Sequence, residues 1–415
     1  MDLVERDRKV LWHPYTQEKT APLPIAIVRG EGIWLYTEDG RKILDGISSW
    51  WVNIHGHSHP FLNQVLTKQV NELEHAMFAC FTHKPAVELA EKLVAVTPEN
   101  LTRVFYSDNG STAVEVALKM AYQFWQNRGE ERKTFVALTN AYHGDTFGAM
   151  AASDESSFTK PFQNLLFRVL RASGDLAELE KIFSDNQNKI AAMIIEPMLQ
   201  GAGGMIVWKS EFLSGICELC DRYDVLLIAD EVLTGFGRTG KMFACEHAQI
   251  LPDMMCLSKA LTAGYLPLGV TLATEKIYET FLSDDRAKTF FHGHSFTANP
   301  LSCAVAVASL ELFEREKSLE KVAFINQKFQ DFFPKLLDLK CVGDVRIIGA
   351  IGIVELNSGD GYLAEIGQKL YLEFLRRNIL LRPLGNVLYF MPPYSISESE
   401  IDWVFGEIED VLRNI

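Results

Sequence analysis

From about residue 60 to 300, short apolar runs alternate with stretches of helical spacing. VFYSDNG leads into STAVEVALKMAYQFWQ, then come FVALTNAYHG and AAMIIEPMLQG, the amphipathic FLSGICELCDRYD, VLLIADE and MMCLSKA. Such runs suit strands buried on both faces, and their alternation with helices predicts a mainly parallel sheet covered on both sides. The N-terminal stretch is different. IAIVRGEG, IWLYTEDG and RKILDGISSWW are short strand-like runs separated by Glu-Gly and Asp-Gly steps, the signature of hairpin connections. After about residue 315 the pattern resets. A long helix over SLEKVAFINQKFQDFFPKLL and strand candidates VRIIGAIGIVEL and NVLYFMPPY, with a helix between them, predict a smaller α+β unit that the N-terminal strands can complete. The expected division is a large unit over 49–314 and a small one from 1–48 with 315–415.

Composition narrows the class. The 415 residues exceed one ordinary core, and 48% hydrophobic with 23% charged residues excludes disordered and fibrous proteins. A net charge of −14 without any basic run excludes a broad nucleic-acid surface, although single arginines or helix N-termini can still hold small anions. MDLVERDRKVLWHPY carries charges where a secretory signal needs an apolar core, and no stretch is apolar enough for a membrane span. A cytoplasmic protein with no membrane partner is expected. Seven irregularly spaced cysteines suit reduced thiols, and Cys217 and Cys220 fall on one face of a predicted helix, where they pack.

Candidate chemistry centres on Lys259. This lysine stands between the apolar run MMCLS and a glycine-containing turn, downstream of VLLIADE, a strand that ends in Asp230. A lysine amine can form a Schiff base with the aldehyde of pyridoxal phosphate, and an acid can hold the pyridine nitrogen protonated so that the ring becomes an electron sink. Gly110 and Ser111 lie where a loop turns into a helix, so they offer either a phosphate cradle or, with Thr112, a simple helix cap. Tyr142, beside Gly144, can stack on a flat ring or fill the core. His55, His57 and His59 alternate in a loop without supporting carboxylates, so no metal site is assigned. GFGRTG matches a dinucleotide fingerprint in letters only: no helical run follows it and no βαβ unit surrounds it. A nicotinamide oxidoreductase is therefore disfavoured, and the glycines are read as shaping a loop around Arg238.

Taken together, Gly110-Ser111, Tyr142-His143-Gly144, Glu196-Pro197 before QGAGG, Asp230-Glu231 with TGFGRTG, and Ser258-Lys259-Ala260 resemble the class III pyridoxal phosphate aminotransferases over essentially the whole chain. The resemblance implies an α/β protein of fold type I, with pyridoxal 5'-phosphate as cofactor and a homodimer with shared active sites. WHPYT, SSWW, IHGHSHP, YHGDTFGAM, FACEHA and RPLGNVLYFMPPY are similar to the branch of that family that aminates 8-amino-7-oxononanoate in biotin biosynthesis, with S-adenosyl-L-methionine as donor. Related branches that act on ornithine or 4-aminobutyrate, or that use lysine as donor, remain alternatives.

Residue by residue, the resemblance implies Lys259 as Schiff-base lysine, Asp230 as pyridine partner, Tyr142 as stacking residue, and Gly110 and Ser111 as phosphate ligands. Tyr15, in a catalytic and binding role, Trp50 and Gly293 would contact substrate, and Arg382 would hold its carboxylate. In HGHSF, His294 and Ser295 replace the usual Pro-Thr, and Ser295 keeps the hydroxyl that reaches the phosphate of a neighbouring subunit. Trp50 and Trp51, if extended, point to opposite sides, one to the core and one to a pocket.

Overall fold

The computed structural model describes residues 2–359 and 361–415. Its central sheet has seven strands in the order Leu101–Ser107, Gly269–Thr274, Met254–Leu257, Leu226–Asp230, Ile190–Ile195, Thr134–Leu138 and Val169–Ala172. Gly269–Thr274 runs antiparallel to both neighbours, and the remaining pairings are parallel. Every residue of Ile190–Ile195, Leu226–Asp230 and Met254–Leu257 is buried. Alternate residues serve opposite faces. Ile194, Ile228 and Met254 pack with Ala113, Ala117 and Ala121 of the helix Gly110–Asn127, whereas Met193, Leu227 and Met255 join the larger core on the other side. This two-sided burial explains why the strands read as unbroken apolar runs. Parallel strands also bring their carboxyl ends to one rim, where open α/β sheets bind ligands.

The two ends of the chain build smaller sheets. Ile27–Glu31, Trp34–Thr37 and Lys42–Asp45 are antiparallel neighbours, and Ile379–Leu380 extends them in parallel with Lys42–Asp45. Val342–Ile348, Ile351–Leu356 and Val387–Phe390 form a separate antiparallel sheet. VRIIGAIGIVEL is thus two strands folded back at Gly349, where φ is 51° and a Cβ would lie 2.3 Å from the Arg238 carbonyl oxygen. Two further features depart from the expected elements. Leu3–Val10 is a helix, closed by a capping box between Asp2 and Glu5, ahead of the predicted strands. The helix beginning at Ser318 ends at Phe332 and continues as a 3-10 turn, because Pro334 has no N–H for the next α-helical bond.

Cys217 and Cys220 lie on the helix Ser210–Arg222 as predicted, and all seven cysteines are free. No helix among the described residues is long and apolar enough to cross a membrane.

Candidate active site

The rim of the sheet supplies the floor of the site. Leu226–Asp230 ends with Asp230 only 5% exposed, its Oδ2 2.7 Å from His143 Nδ1 while the Val232 N–H donates to Oδ1 at 3.1 Å. Next to it, Met254–Leu257 passes through Ser258, whose hydroxyl donates to the Leu268 carbonyl at 2.6 Å, into Lys259 at φ 45°. Among the described residues no carboxylate lies within salt-bridge distance of the Lys259 amine, which sits 4.9 Å from the Trp51 ring centre. Burial pulls its pKa below the usual lysine value, against the opposing pull of Asp230 and Glu196.

Glu196 follows the neighbouring strand Ile190–Ile195 and accepts the N–H groups of Tyr142 and Gly201, both at 2.9 Å. Burial lifts its carboxyl to about 7. Glu196 therefore anchors the backbone that carries Tyr142, a part the sequence motif alone did not disclose.

At the start of Gly110–Asn127 the capping falls to a residue ahead of Gly110 and Ser111. Asn109 is the cap: its side chain accepts the Thr112 N–H at 3.0 Å, and Thr112 Oγ1 returns the bond to the Asn109 N–H at 3.0 Å. Gly110 and Ser111 are left facing the cavity at the positive end of the helix. A Cβ on Gly110 would meet Val232 Cγ1 at 2.7 Å, so glycine lets the helix begin this close to the Asp230 loop. Ser111 Oγ accepts the Asp145 N–H at 3.1 Å, which ties this loop to the Tyr142–Asp145 turn.

The facing wall comes from parts of the chain remote in sequence. The Tyr15 hydroxyl donates to Asp145 Oδ2 and lies 3.0 Å from the Tyr142 hydroxyl. Burial raises the Tyr15 phenol to about 12. Trp50 packs edge-on to Tyr15 at 5.4 Å, and the Arg382 guanidinium lies over Trp50 at 4.4 Å.

Of the two tryptophans, Trp51 is in the core at 4% exposed and Trp50 faces the pocket at 38%, as expected, but the segment that carries them is not extended. Ser48, Ser49, Trp50 and Trp51 have φ of 51°, 45°, 67° and 75°, a left-handed turn and not an extended segment. Adjacent side chains in such a turn diverge by far less than in a strand, so Trp50 and Trp51 line the same cavity. Each left-handed non-glycine residue costs about 1–2 kcal/mol, so the turn persists only where its surroundings fix it. Arg238, fully buried in the loop that GFGRTG shapes, supplies part of that fixing: it donates to the carbonyls of Asn53 (3.0 Å), Pro392 (3.1 Å) and Trp51 (3.4 Å).

One cavity of ≈ 770 Å³ gathers Tyr15, Trp50, Gly110, Ser111, Tyr142, Asp230, Lys259 and Arg382. Gly293 and Ser295 are not among its lining residues; both are exposed, on a segment that also exposes Phe291 and Phe296. Sequence reasoning gave no site role to His143, Asp145, Glu196, Trp51, Phe158 and Tyr362. The first two flank Gly144, where φ is 130° and a Cβ would lie 2.1 Å from Ser111 Oγ, and that glycine was the available signal. Phe158 and Tyr362, ring centres 4.7 Å apart, are single aromatics in loops and carry no pattern.

A flat, phosphorylated pyridine aldehyde fits these residues. A helix N-terminus faces the cavity, the Lys259 amine has no carboxylate within salt-bridge distance among the described residues, and a buried acid ends the adjoining strand. These are the features of a pyridoxal phosphate enzyme of fold type I. Residues 15–412 match the family model for class-III aminotransferases, and the chain belongs to that family, with pyridoxal 5'-phosphate as its cofactor.

Within the family its likeness is specific. The chain is 46% identical to the adenosylmethionine-8-amino-7-oxononanoate aminotransferase of Synechococcus elongatus, over 98% of this chain and 99% of that one. The crystal structure of the enzyme of the same name from Methanocaldococcus jannaschii superposes with a TM-score of 0.96 at 37% identity, covering 99% of this chain and 98% of that one. The omega transaminase from Pseudomonas jessenii, solved in complex with PMP, gives 0.94 at 29% identity, over 100% of this chain and 98% of that one.

Proposed function

We propose that this chain transfers the amino group of S-adenosyl-L-methionine to 8-amino-7-oxononanoate, forming 7,8-diaminononanoate in biotin biosynthesis. The observation that carries the reading is a single aromatic-walled cavity with Lys259 on its floor and Arg382 on its wall, suited to a keto group and a remote carboxylate on one molecule.

Bound pyridoxal phosphate supplies an electron sink for charge developing on the amine's α-carbon, and a carrier that stores the amino group between two half-reactions. The protein's own groups divide the remaining work. Gly110 and Ser111, at the helix end facing the cavity, would hold the phosphate through their N–H groups, and Tyr142 would offer its ring to the pyridine. Asp230 holds the pyridine nitrogen protonated, while the 2.7 Å contact with His143 fixes which way its carboxylate points. Lys259, on the floor of the cavity, is the amine that would hold the cofactor's aldehyde carbon. The same amine is placed to move the proton of the substrate's α-carbon, and burial, which lowers its pKa, would keep more of it neutral for that task. Arg382 grips the acceptor carboxylate through its two-pronged guanidinium, and Trp50 and Tyr15 flank the chain between.

The reading includes a homodimer in which Gly293 and Ser295 complete the site of a second copy. Their exposure beside Phe291 and Phe296, away from their own cavity, supports this arrangement. The boundaries 49–314 for a cofactor-binding unit, with 1–48 and 315–415 as a smaller one, belong to the same reading. So does a cytoplasmic location, which the seven free thiols support.

The deciding experiment incubates the purified, cofactor-loaded enzyme with 8-amino-7-oxononanoate and one donor at a time, with the diamine product measured by mass spectrometry. Diamine from S-adenosyl-L-methionine is expected. Product only with lysine, ornithine or 4-aminobutyrate would assign a different donor, and none with this acceptor would overturn the reading.

A further inference from the structure

Asp45 is not among the residues lining the cavity, yet its carboxylate holds the left-handed turn that carries two of them. It ends the strand Lys42–Asp45 and is fully buried. Its Oδ1 accepts the Ser49 N–H at 2.9 Å and the Ile47 N–H at 3.4 Å. Its Oδ2 accepts the Ser49 hydroxyl at 2.7 Å and lies 2.9 Å from His57 Nε2. His57 is itself fixed to the neighbouring hairpin, through backbone bonds to Gly32 of 2.6 and 3.2 Å. The carboxylate thus binds two groups of a strained turn, and the Ile47 N–H just before it, to the N-terminal sheet. That turn in turn aims Trp51 at Lys259 and Trp50 at Arg382.

We propose that Asp45 is a positioning residue for substrate: by holding the Ser48–Trp51 turn, it fixes the span between the lysine and the arginine, and so the length of carboxylate chain that the cavity accepts. This rests on the reading of Arg382 as the carboxylate site. A carboxylate that grips both an N–H and the hydroxyl of one residue at φ 45° explains how a strained conformation persists without glycine, and strain held at a site is a sign of function.

The test uses cofactor-loaded wild type, Asp45→Asn and the milder Ser49→Ala. Steady-state amination of 8-amino-7-oxononanoate is measured alongside calorimetric binding of nonanoate and heptanoate as unreactive probes. Asp45→Asn is expected to raise the acceptor KM about tenfold while kcat falls by less than about threefold, with the visible cofactor band unchanged. It should also erase the wild type's preference for nonanoate over heptanoate. Ser49→Ala should move KM the same way by about threefold.

An unchanged KM and unchanged probe preference in Ser49→Ala would overturn the proposal even if Asp45→Asn failed to fold, as would a fall in kcat alone or a loss of the cofactor band in both variants. If wild type does not aminate 8-amino-7-oxononanoate, the functional reading fails, while the probe preference still decides the role of Asp45.

Discussion

The floor and the wall of this site are built on different principles. Asp230, Glu196 and Lys259 sit at or just beyond the ends of three adjacent strands whose residues are all buried. Backbone ladders fix their spacing, so each side chain inherits its position from the sheet. Tyr15, Trp50 and Arg382 come from an N-terminal loop, a left-handed turn and the segment after Ile379–Leu380, and side-chain contacts bring them together. A rigid floor suits chemistry that recurs throughout a family. A wall assembled from distant loops can be altered residue by residue without disturbing the sheet. If this division is right, floor variants lose rate and wall variants lose selectivity.

Lys259→Ala is the most severe test of the floor. Turnover should fall by about 10⁴-fold or more, with loss of the visible absorption of the bound cofactor, because one amine serves as both covalent anchor and proton carrier. Stopped-flow spectra with either substrate measure both effects, and a variant retaining both would remove the lysine from the mechanism. Asp230→Asn should keep the cofactor bound and lower kcat about a hundredfold or more for donor and acceptor alike, since the carboxylate opposes charge on the ring whichever substrate is present. A loss confined to one half-reaction would break the distinction between floor and wall.

Arg382→Ala should behave in the opposite way. Arg382 is half-buried, so water moderates the loss of its charge, and an acceptor KM raised about thirtyfold with a nearly unchanged kcat is expected. Arg382→Lys should recover only part of this, because a point charge cannot reproduce a planar, two-pronged grip. Equal effects on both substrates, or a collapse in kcat, would show that the wall takes part in the chemistry.

The sequence disclosed the two regions unequally, for the same physical reason. Unbroken apolar runs ending in Asp230 and just before Lys259 revealed both the strands and the residues at their ends, and the loop-to-helix step at Gly110 revealed the helix end that faces the cavity. Periodicity carries such information because each element fixes its own residues. It does not carry the left-handed turn at Ser48–Trp51, whose conformation depends on Asp45 and Arg238, the latter almost two hundred positions away. For that reason Trp51, in the core as one of the pair was expected to be, also borders the cavity that Trp50 faces. Nor could spacing show that His143 contacts Asp230, since the two follow strands separated by Ile190–Ile195 and meet only when the sheet brings those ends onto one rim.

The smallest expected effect concerns pH, and it separates floor from wall without any substrate. Folding lifts the Glu196 carboxyl from 4.5 to about 7, chiefly by burial. A raised acid favours its protonated form in the folded state, so the stability it contributes is fully present below 4.5 and is lost as pH rises through about 7. Glu196→Gln cannot ionise and keeps an oxygen for only one of the Tyr142 and Gly201 N–H groups, which bond to different carboxylate oxygens, so it should carry a constant penalty and no slope from this position. Measured by urea unfolding of the cofactor-free protein, the variant should therefore gain on wild type across that interval and run parallel to it above. The Tyr15 phenol, raised to about 12, titrates far outside the interval, so Tyr15→Phe should leave the wild-type slope intact. Parallel curves for Glu196→Gln and wild type throughout would mean that the carboxyl ionises normally in the folded protein. The floor would then be wetter than its burial implies, and the contrast with the wall would narrow to geometry alone.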